Sequence, residues 1–257
     1  MENYQSDLEV LRNFLSLPHR ASSVLEKFAT LPGAIVKSEG PMENFVYIPG
    51  TRKNPVLLVA HSDTADWWMP EDIELYEGQS EISNGNGLLG ADDRAGCAML
   101  WLLRNTGHGL LITDGEERGG YGSAFLRWVH PKILREINRH HQFMIQIDLH
   151  GRNQFKCYGV GTAEFRAYIR QKTSFSEPDQ ANFTDIVTLC TGICGVNLSC
   201  GYYEEHTPSE CIVKQEWHDT LQLLRSWLAE TDLPRFQLPR KGKTRQAARS
   251  TNEKRVR

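Results

Sequence analysis

Three short apolar runs in the first 150 residues each lead into acidic or imidazole side chains. The runs cover residues 56–60, 109–112 and 143–147, and they are followed by His61, by the segment 113–117 with Glu116 and Glu117, and by Asp148. Short continuous apolar runs are typical of strands that are covered on both faces of a sheet. The pattern therefore predicts three buried central strands with polar groups at their carboxyl ends.

Helical periodicity occupies much of the chain between these runs. It predicts helices at residues 7–17, 22–29, 92–105, 120–130, 163–172 and 217–228. Further strands are predicted at 34–36, 45–48, 155–160, 185–189 and 196–199, whereas residues 62–89 are expected to be mostly loop. Strands that alternate with helices predict an α/β sandwich around a mainly parallel sheet. Such sheets bind ligands at the carboxyl ends of their strands.

The charge of the chain is unevenly distributed, although its composition is that of an ordinary globular domain. The 257 residues are 40% hydrophobic and carry a net charge of −3. Residues 240–257 hold eight Lys or Arg and one Glu, a net of +7, so residues 1–239 carry −10. We predict one domain over 1–239 and a disordered basic tail over 240–257. The acidic body favours a cation-binding site and argues against nucleic acid as the main partner.

The sequence shows no secretory signal and no membrane span, which predicts a cytoplasmic protein. No basic segment with a following apolar stretch appears after Met1, and no apolar run approaches the length of a span. The six cysteines form no CxxC pair, so free thiols in a reducing compartment are expected. The oligomeric state is left open, with a homo-oligomer as one alternative.

An acidic pair, Asp92 and Asp93, stands at the start of the helix predicted for residues 92–105. It belongs to the glycine-bounded stretch GADDRAG, residues 90–96. Acidic side chains at a helix N-terminus usually act through the cap or the helix dipole, which is worth under about 1 kcal/mol. The ionisable groups at the predicted strand ends suggest a second interpretation, in which Asp92 bridges two metal ions.

Each of the other candidate groups is weak evidence by itself. In the sequence His-x-Asp, Asp63 can accept the second ring N–H of His61 and leave the other nitrogen for a metal, or the two can form a structural pair. Of Glu116 and Glu117, one carboxylate can bind a metal while the other takes a proton from water, although such a pair is often simply solvated. Burying Asp148 is costly unless a metal or an Arg partner compensates its charge.

The order of these residues, completed by His206, resembles the co-catalytic di-zinc exopeptidases of peptidase clan MH. That group includes aminopeptidases, peptidase T, glutamate carboxypeptidase and aminoacylase. The resemblance spans about residues 56–210, and its most specific parts are GADDRAG and the segment NLSCGYYEEHT at 197–207. It implies a three-layer α/β/α sandwich with a mainly parallel, mixed central sheet, and a cis peptide between Asp92 and Asp93.

The resemblance also implies the ligand set. One zinc ion would be held by His61 and Asp148, a second by Glu117 and His206, and Asp92 would bridge both. Asp63 would support His61, and Glu116 would be the general base. Histidine and carboxylate ligands also suit manganese or cobalt.

One departure from the family concerns the lid domain that its carboxypeptidases and aminoacylases carry between the equivalents of Asp148 and His206. This chain has too few residues there to hold a lid, and it is more similar to the lid-less aminopeptidases. We therefore expect residues 1–239 to be a single catalytic metallohydrolase domain without a lid insertion.

The activity that the resemblance implies is zinc-dependent cleavage of an amide bond, by an aminopeptidase acting on short peptides. The same ligands would serve an amidohydrolase of N-acyl amino acids or other small molecules, and a metal-free binding module on this scaffold is a third alternative. Further candidates come from position alone: Tyr202 and Tyr203 for the oxyanion, Glu205 and Asp185 for a substrate amine, and Trp67 and Trp68 for a substrate pocket or for loop packing.

Overall fold

The computed structural model describes residues 2–65, 73–179 and 182–239, and within them the chain forms eleven strands and eight helices. The strands are β1 (Ile35–Gly40), β2 (Glu43–Ile48), β3 (Leu57–His61), β4 (Leu75–Glu77), β5 (Glu81–Asn84), β6 (Gly109–Thr113), β7 (Met144–Leu149), β8 (Phe155–Lys156), β9 (Gly195–Ser199), β10 (Tyr202–Tyr203) and β11 (Cys211–Val213). The helices are α1 (Glu2–Leu15), α2 (Ala21–Ala29), α3 (Ala91–Leu103), α4 (Tyr121–Trp128), α5 (Pro131–His140), α6 (Ala163–Thr173), α7 (Ile186–Leu189) and α8 (Lys214–Leu228). Trp67, Trp68 and the predicted tail 240–257 lie outside the described residues.

Seven strands form the central sheet, in the order β1-β2-β6-β3-β7-β9-β8. The four central strands, β6, β3, β7 and β9, run parallel, whereas β1, β2 and β8 are antiparallel to their neighbours. This confirms the mainly parallel, mixed sheet. In the ladder between β3 and β6, His61 pairs with Thr113, so both strands end at the same edge.

Helices cover both faces of the sheet, which confirms the three-layer α/β/α sandwich. Alternate residues of the run 56–60 enter opposite cores because successive strand side chains point to opposite faces. Leu58 packs in a core with residues of α1, α3 and α8. Leu57 and Val59 pack in a second core with residues of α4, α5 and α7. All five residues of β3 are buried, as the apolar run predicted.

A second sheet, β10-β11-β5-β4, includes two short strands in the region 62–89, whose other described residues are loop, as expected. All three of its strand pairs are antiparallel. Its strands have two to four residues, and β5 shows the alternating burial of a half-covered strand, so the apolar signal is weak. The sheet joins the segment that precedes the GADDRAG turn to the segment that follows His206.

Two predictions were wrong in detail, and one helix was not predicted. Residues 186–189 form the short helix α7 rather than a strand, because Ile186 and Leu189 face the same core one helical turn apart. The strand predicted for 155–160 is limited to Phe155–Lys156. The helix α5 was not expected, although Pro131 at its first turn and the buried Leu134 and Ile137 are ordinary helix signals.

The six cysteines are free thiols, as expected. No described helix combines the length and the apolar character that crossing a bilayer demands.

Candidate metal centre

The sheet brings three of the predicted site segments to one edge. His61 is the last residue of β3, Asp148 lies near the end of β7, and Glu116 and Glu117 follow β6 after a turn at Gly115, where φ is 70°. The strands β6, β3 and β7 are parallel neighbours. Their carboxyl ends therefore meet, as expected for this type of sheet.

The GADDRAG turn orients its two carboxylates differently. The peptide bond between Asp92 and Asp93 is cis, as the resemblance implied, and Gly90 before it has a left-handed φ of 71°. Asp93 turns inward: its Oδ2 accepts the backbone N–H of His61 at 3.1 Å, and its Oδ1 accepts that of Gly96 at 3.0 Å. Asp92 instead lines the cavity at the sheet edge.

The two carboxylate oxygens of Asp92 belong to two different groups of side chains. Oδ1 lies 2.9 Å from Nε2 of His61, and the same nitrogen lies 3.3 Å from Oδ1 of Asp148. Oδ2 lies 3.2 Å from Nε2 of His206, which lies 2.7 Å from Oε1 of Glu117. The structure thus brings together all five predicted ligands, with Asp92 between the two pairs.

Asp63 connects three of the site residues. Its Oδ1 accepts the backbone N–H of Glu116 and its Oδ2 that of Glu117, each at 3.1 Å. Nδ1 of His61 lies 3.0 Å from the backbone carbonyl of Asp63 and 3.3 Å from its Oδ1. Because Nδ1 is engaged on this side, Nε2 of His61 is directed towards Asp92 and Asp148.

Asp148 is positioned by polar residues that the sequence did not predict to lie in the site. Its Oδ2 accepts hydrogen bonds from Nε2 of Gln146 at 3.0 Å and from Oγ1 of Thr184 at 2.8 Å. Its backbone N–H donates to Oδ1 of Asn197 at 2.9 Å. Gln146 and Asn197 are polar residues within otherwise apolar buried strands, and that interruption is the signal that identifies them.

Glu210 is a further residue whose position in the site was not predicted from the sequence. It is fully buried, and its carboxylate accepts the backbone N–H of Gly90 at 2.6 Å and of Asp92 at 3.0 Å. These two bonds hold the turn that presents Asp92. Glu210 follows His206 closely, so the same segment supplies a predicted ligand and the support for another.

Burial and neighbouring charges shift the pKa values of the ionisable groups in the site. Burial raises the pKa of Glu116 to about 10, and burial with the nearby charge of Asp92 raises the pKa of Asp148 to about 7. Burial alone would lower the pKa of His61, but the carboxylates of Asp148, Asp63 and Asp92 outweigh it and raise that pKa well above its usual value. Hydrogen bonds to Asp92 and Glu117 raise the pKa of His206 to about 11.

The donor set fits divalent metal ions. Ligand atoms of His61, Asp92 and Glu117 lie within 4.8 Å of one another, and so do those of His61, Asp93 and Asp148. Of the two aspartates, Asp92 is the better ligand, because both oxygens of Asp93 already accept backbone N–H groups. Imidazole nitrogens and carboxylate oxygens suit zinc, manganese and cobalt. A cation would also offset the repulsion between carboxylates that are this close and this buried.

The cavity at this centre is lined by Asp92, Glu117, Asp148 and His206 among others, and it has a volume of about 620 Å³. Tyr202 lines it, and its hydroxyl donates to the backbone carbonyl of Asp148 at 3.1 Å. Tyr203 instead lines an adjoining cavity, and its hydroxyl donates to Oε2 of Glu216 at 2.7 Å. Of the two amine-binding candidates, Glu205 lines the cavity, whereas Asp185 is fully buried and accepts a hydrogen bond from Oγ1 of Thr113.

Comparison with solved structures identifies the fold. No family model and no curated protein matches the sequence. The chain is similar in structure to aminopeptidase PepT from Bacillus cereus ATCC 10987, with a TM-score of 0.65 and 15% identity over 89% of this chain and 98% of that one. The TET1 peptidase of Pyrococcus horikoshii, which can assemble into a tetrahedron or a large octahedral shell, has a TM-score of 0.59 and 13% identity over 87% of this chain and 99% of that one.

The same fold also occurs in a protein that is named as a glutaminyl cyclase rather than as a peptidase. A glutaminyl cyclase from an Acidobacteriales bacterium has a TM-score of 0.59 and 12% identity over 88% of this chain and 93% of that one. A fold that hosts several activities does not identify the reaction, which has to be argued from the site. What the comparisons show is the fold that this chain shares with these three proteins, and it is the fold that the resemblance implied.

Proposed function

We propose that this protein is a metal-dependent hydrolase of amide bonds, and that it acts as a zinc aminopeptidase on short peptides. The observation that carries the proposal is the division of Asp92 between two groups of ligands. Its Oδ1 faces His61 and Asp148, and its Oδ2 faces His206 and Glu117. Such a carboxylate can hold two cations side by side, and the proposed complement is two zinc ions, with manganese or cobalt as substitutes.

The ions supply the part of the chemistry that the chain lacks, because divalent metals at such sites lower the pKa of water and polarise the substrate carbonyl. The chain supplies the proton transfers through Glu116. Its carboxylate lines the cavity, while its backbone N–H is fixed by Asp63. Glu116 is thus placed to take a proton from the attacking water and to deliver it to the leaving amine.

Three residues would keep this geometry in place without taking part in the chemistry. Asp63 fixes the backbone at Glu116 and Glu117, and Glu210 fixes the turn at Asp92. Tyr202 is directed to the end of β7 by its hydrogen bond to Asp148. The residues 1–239 are proposed as one catalytic domain without a lid.

The charge of the cavity wall supports an aminopeptidase over a carboxypeptidase or a deacylase of N-acyl amino acids. Its described lining residues include five acidic side chains, Asp92, Glu116, Glu117, Asp148 and Glu205, and neither Lys nor Arg. Even with two divalent ions bound, this wall does not favour a carboxylate next to the scissile bond. A protonated amine is attracted there.

A matched pair of substrates tests the proposal. Protein stripped with a chelator and reloaded with zinc, manganese or cobalt is given alanine p-nitroanilide and its N-acetylated counterpart, and release of nitroaniline is followed. We expect turnover of the free-amine compound alone, and only after reloading. Turnover of the N-acetylated compound alone would identify a deacylase. Absence of bound metal together with absence of turnover would identify a binding module.

Self-association is a separate proposal. It is supported by the assemblies of the TET1 peptidase, which has the same fold. Sedimentation velocity of the full chain tests it, with a single species at the monomer mass of 29.3 kDa as the contrary result.

A further inference from the structure

The cavity at the metal centre adjoins a second cavity of about 580 Å³. The two share His150, Gln154 and Glu205 in their walls. Nδ1 of His150 lies 2.8 Å from Oε1 of Glu205, and this pair stands where the two cavities meet. The second cavity is lined in addition by Gly151, Arg152, Tyr203 and Glu204. A substrate longer than the first cavity can extend past His150 into the second.

Arg152 brings a positive charge to this second cavity. Among the described residues that line the two cavities, it is the only Lys or Arg. Its Nη1 donates to Oε1 of Glu216 at 3.1 Å, and Glu216 is itself fixed by the hydroxyl of Tyr203. Arginine carries five N–H groups, and within the described residues those on Nε and Nη2 make no hydrogen bond. The guanidinium is therefore oriented by one partner and retains donors for a ligand.

We propose that Arg152 binds the free C-terminal carboxylate of a short peptide whose scissile bond lies at the metal centre. This rests on the proposed function and adds to it a limit on substrate length. Arg152 follows Asp148 by four residues, so their Cα atoms are at most about 14 Å apart. An extended peptide advances by about 3.3–3.6 Å per residue. A carboxylate held by Arg152 thus lies no more than about four residues beyond the cleaved bond.

A carboxylate is the ligand that fits Arg152 best. The planar guanidinium matches a carboxylate through two parallel N–H···O bonds. Arg152 is the only Lys or Arg in the described walls of the two cavities, and the carboxylates of Glu204 and Glu205 repel a peptide carboxylate elsewhere in the second cavity. The alternative is that Arg152 only forms a surface ion pair with Glu216. Because 64% of its side chain is exposed, such a pair would contribute little.

The test compares two peptides that differ only in the C-terminal charge, trialanine and trialanine amide. For the wild-type protein we expect kcat/KM to be about fivefold or more higher for the acid, mainly through KM, which is the size of effect expected for an exposed charge-assisted contact. The preference should shrink as salt is raised, because the contact is screened. Arg152→Gln should abolish it, and Arg152→Lys should restore part of it. Arg139→Ala, which removes another mostly exposed arginine, on α5, is the control and should leave it unchanged.

A binding measurement separates this proposal from the proposed function. Reduced tripeptides, with –CH2–NH– in place of the first peptide bond, cannot be hydrolysed, and their acid and amide forms can be compared by calorimetry whether or not the protein is a peptidase. We expect the acid to bind about fivefold or more tightly, and Arg152→Gln to remove the difference. Equal binding of both forms by the wild-type protein, or an unchanged preference in Arg152→Gln, overturns the assignment even if peptides are cleaved. Retained preference for the acid without cleavage would leave this site standing and remove the peptidase proposal.

Discussion

Replacement of Asp63 by Asn tests how the site is positioned, because it changes one atom of a side chain that no metal is proposed to touch. The two carboxylate oxygens of Asp63 accept the backbone N–H groups of Glu116 and Glu117, each at 3.1 Å. The amide of Asn has one oxygen and one NH2 group. Whichever way it is turned, one backbone N–H then faces a donor instead of an acceptor.

The expected cost follows from those two bonds. A hydrogen bond to a charged acceptor contributes about 1.5–3 kcal/mol, and a buried donor left without a partner costs about 1–3 kcal/mol. Only 14% of the Asp63 side chain is exposed, so water relieves little of this loss. We expect Asp63→Asn to lower the free energy of unfolding by about 2–4 kcal/mol. The support of His61 is weakened as well, and metal affinity should fall about 10–100-fold.

Two assays measure these quantities separately. Urea denaturation of the metal-free protein, followed by circular dichroism, gives the stability, and competition with a chromophoric chelator gives the metal affinity. Asp232→Asn, at an exposed position, is the control and should behave as wild type. If Asp63→Asn is within about 0.5 kcal/mol of wild type and binds metal equally well, the positioning role of Asp63 is wrong.

Three further predictions concern the proton transfer, the bridging ligand and pH. Glu116→Gln should keep its metal, as measured by mass spectrometry of the bound ions, and lose about 10²–10⁴-fold in kcat; wild-type turnover would contradict its role as base. Asp92→Asn should lower the occupancy of both ions, whereas Asp148→Asn should lower that of one, and equal loss in the two variants would argue against the bridge. Burial lowers the pKa of His141 to about 4, below its unfolded value of about 6.5, so the stability it contributes is present above pH 6.5 and is lost as the pH falls towards 4. The urea midpoint should decrease over that window, and His141→Gln, which cannot titrate, should flatten the decrease; parallel curves for the two proteins would contradict this role of His141.

The sequence was sufficient to predict the central strands of the seven-stranded sheet and the strand ends at which several of the proposed ligands lie. The runs 56–60, 109–112 and 143–147 are apolar because both sheet faces are covered, and that pattern needs no knowledge of the partners. The parallel arrangement then follows from the alternating helices and places the ends of β3, β6 and β7 together. The cis peptide after Asp92 came from the resemblance, and nothing in the composition of the turn indicates it.

The parts that the sequence did not predict depend on contacts between distant segments. The strands β5 and β11 are short and half-exposed, and each is a strand because the other pairs with it. Residues 186–189 have strand-forming side chains, yet packing against the core makes them helical. Asn197 and Glu210 accept hydrogen bonds from backbone N–H groups 49 and 118 to 120 positions away, so the sequence around each of them does not show which residue it supports.

The long sequence separation between Glu210 and the turn that it holds has a consequence for the order in which the protein folds. Its carboxylate fixes Gly90 and Asp92, which were synthesised 120 and 118 positions earlier. Closing so long a loop is among the slower steps of folding. We therefore expect a nascent chain that ends before Glu210 to lack a rigid binding turn, even though most of the proposed ligands have already been made. Cations would then be bound tightly only after the segment with Glu210 has folded against the turn.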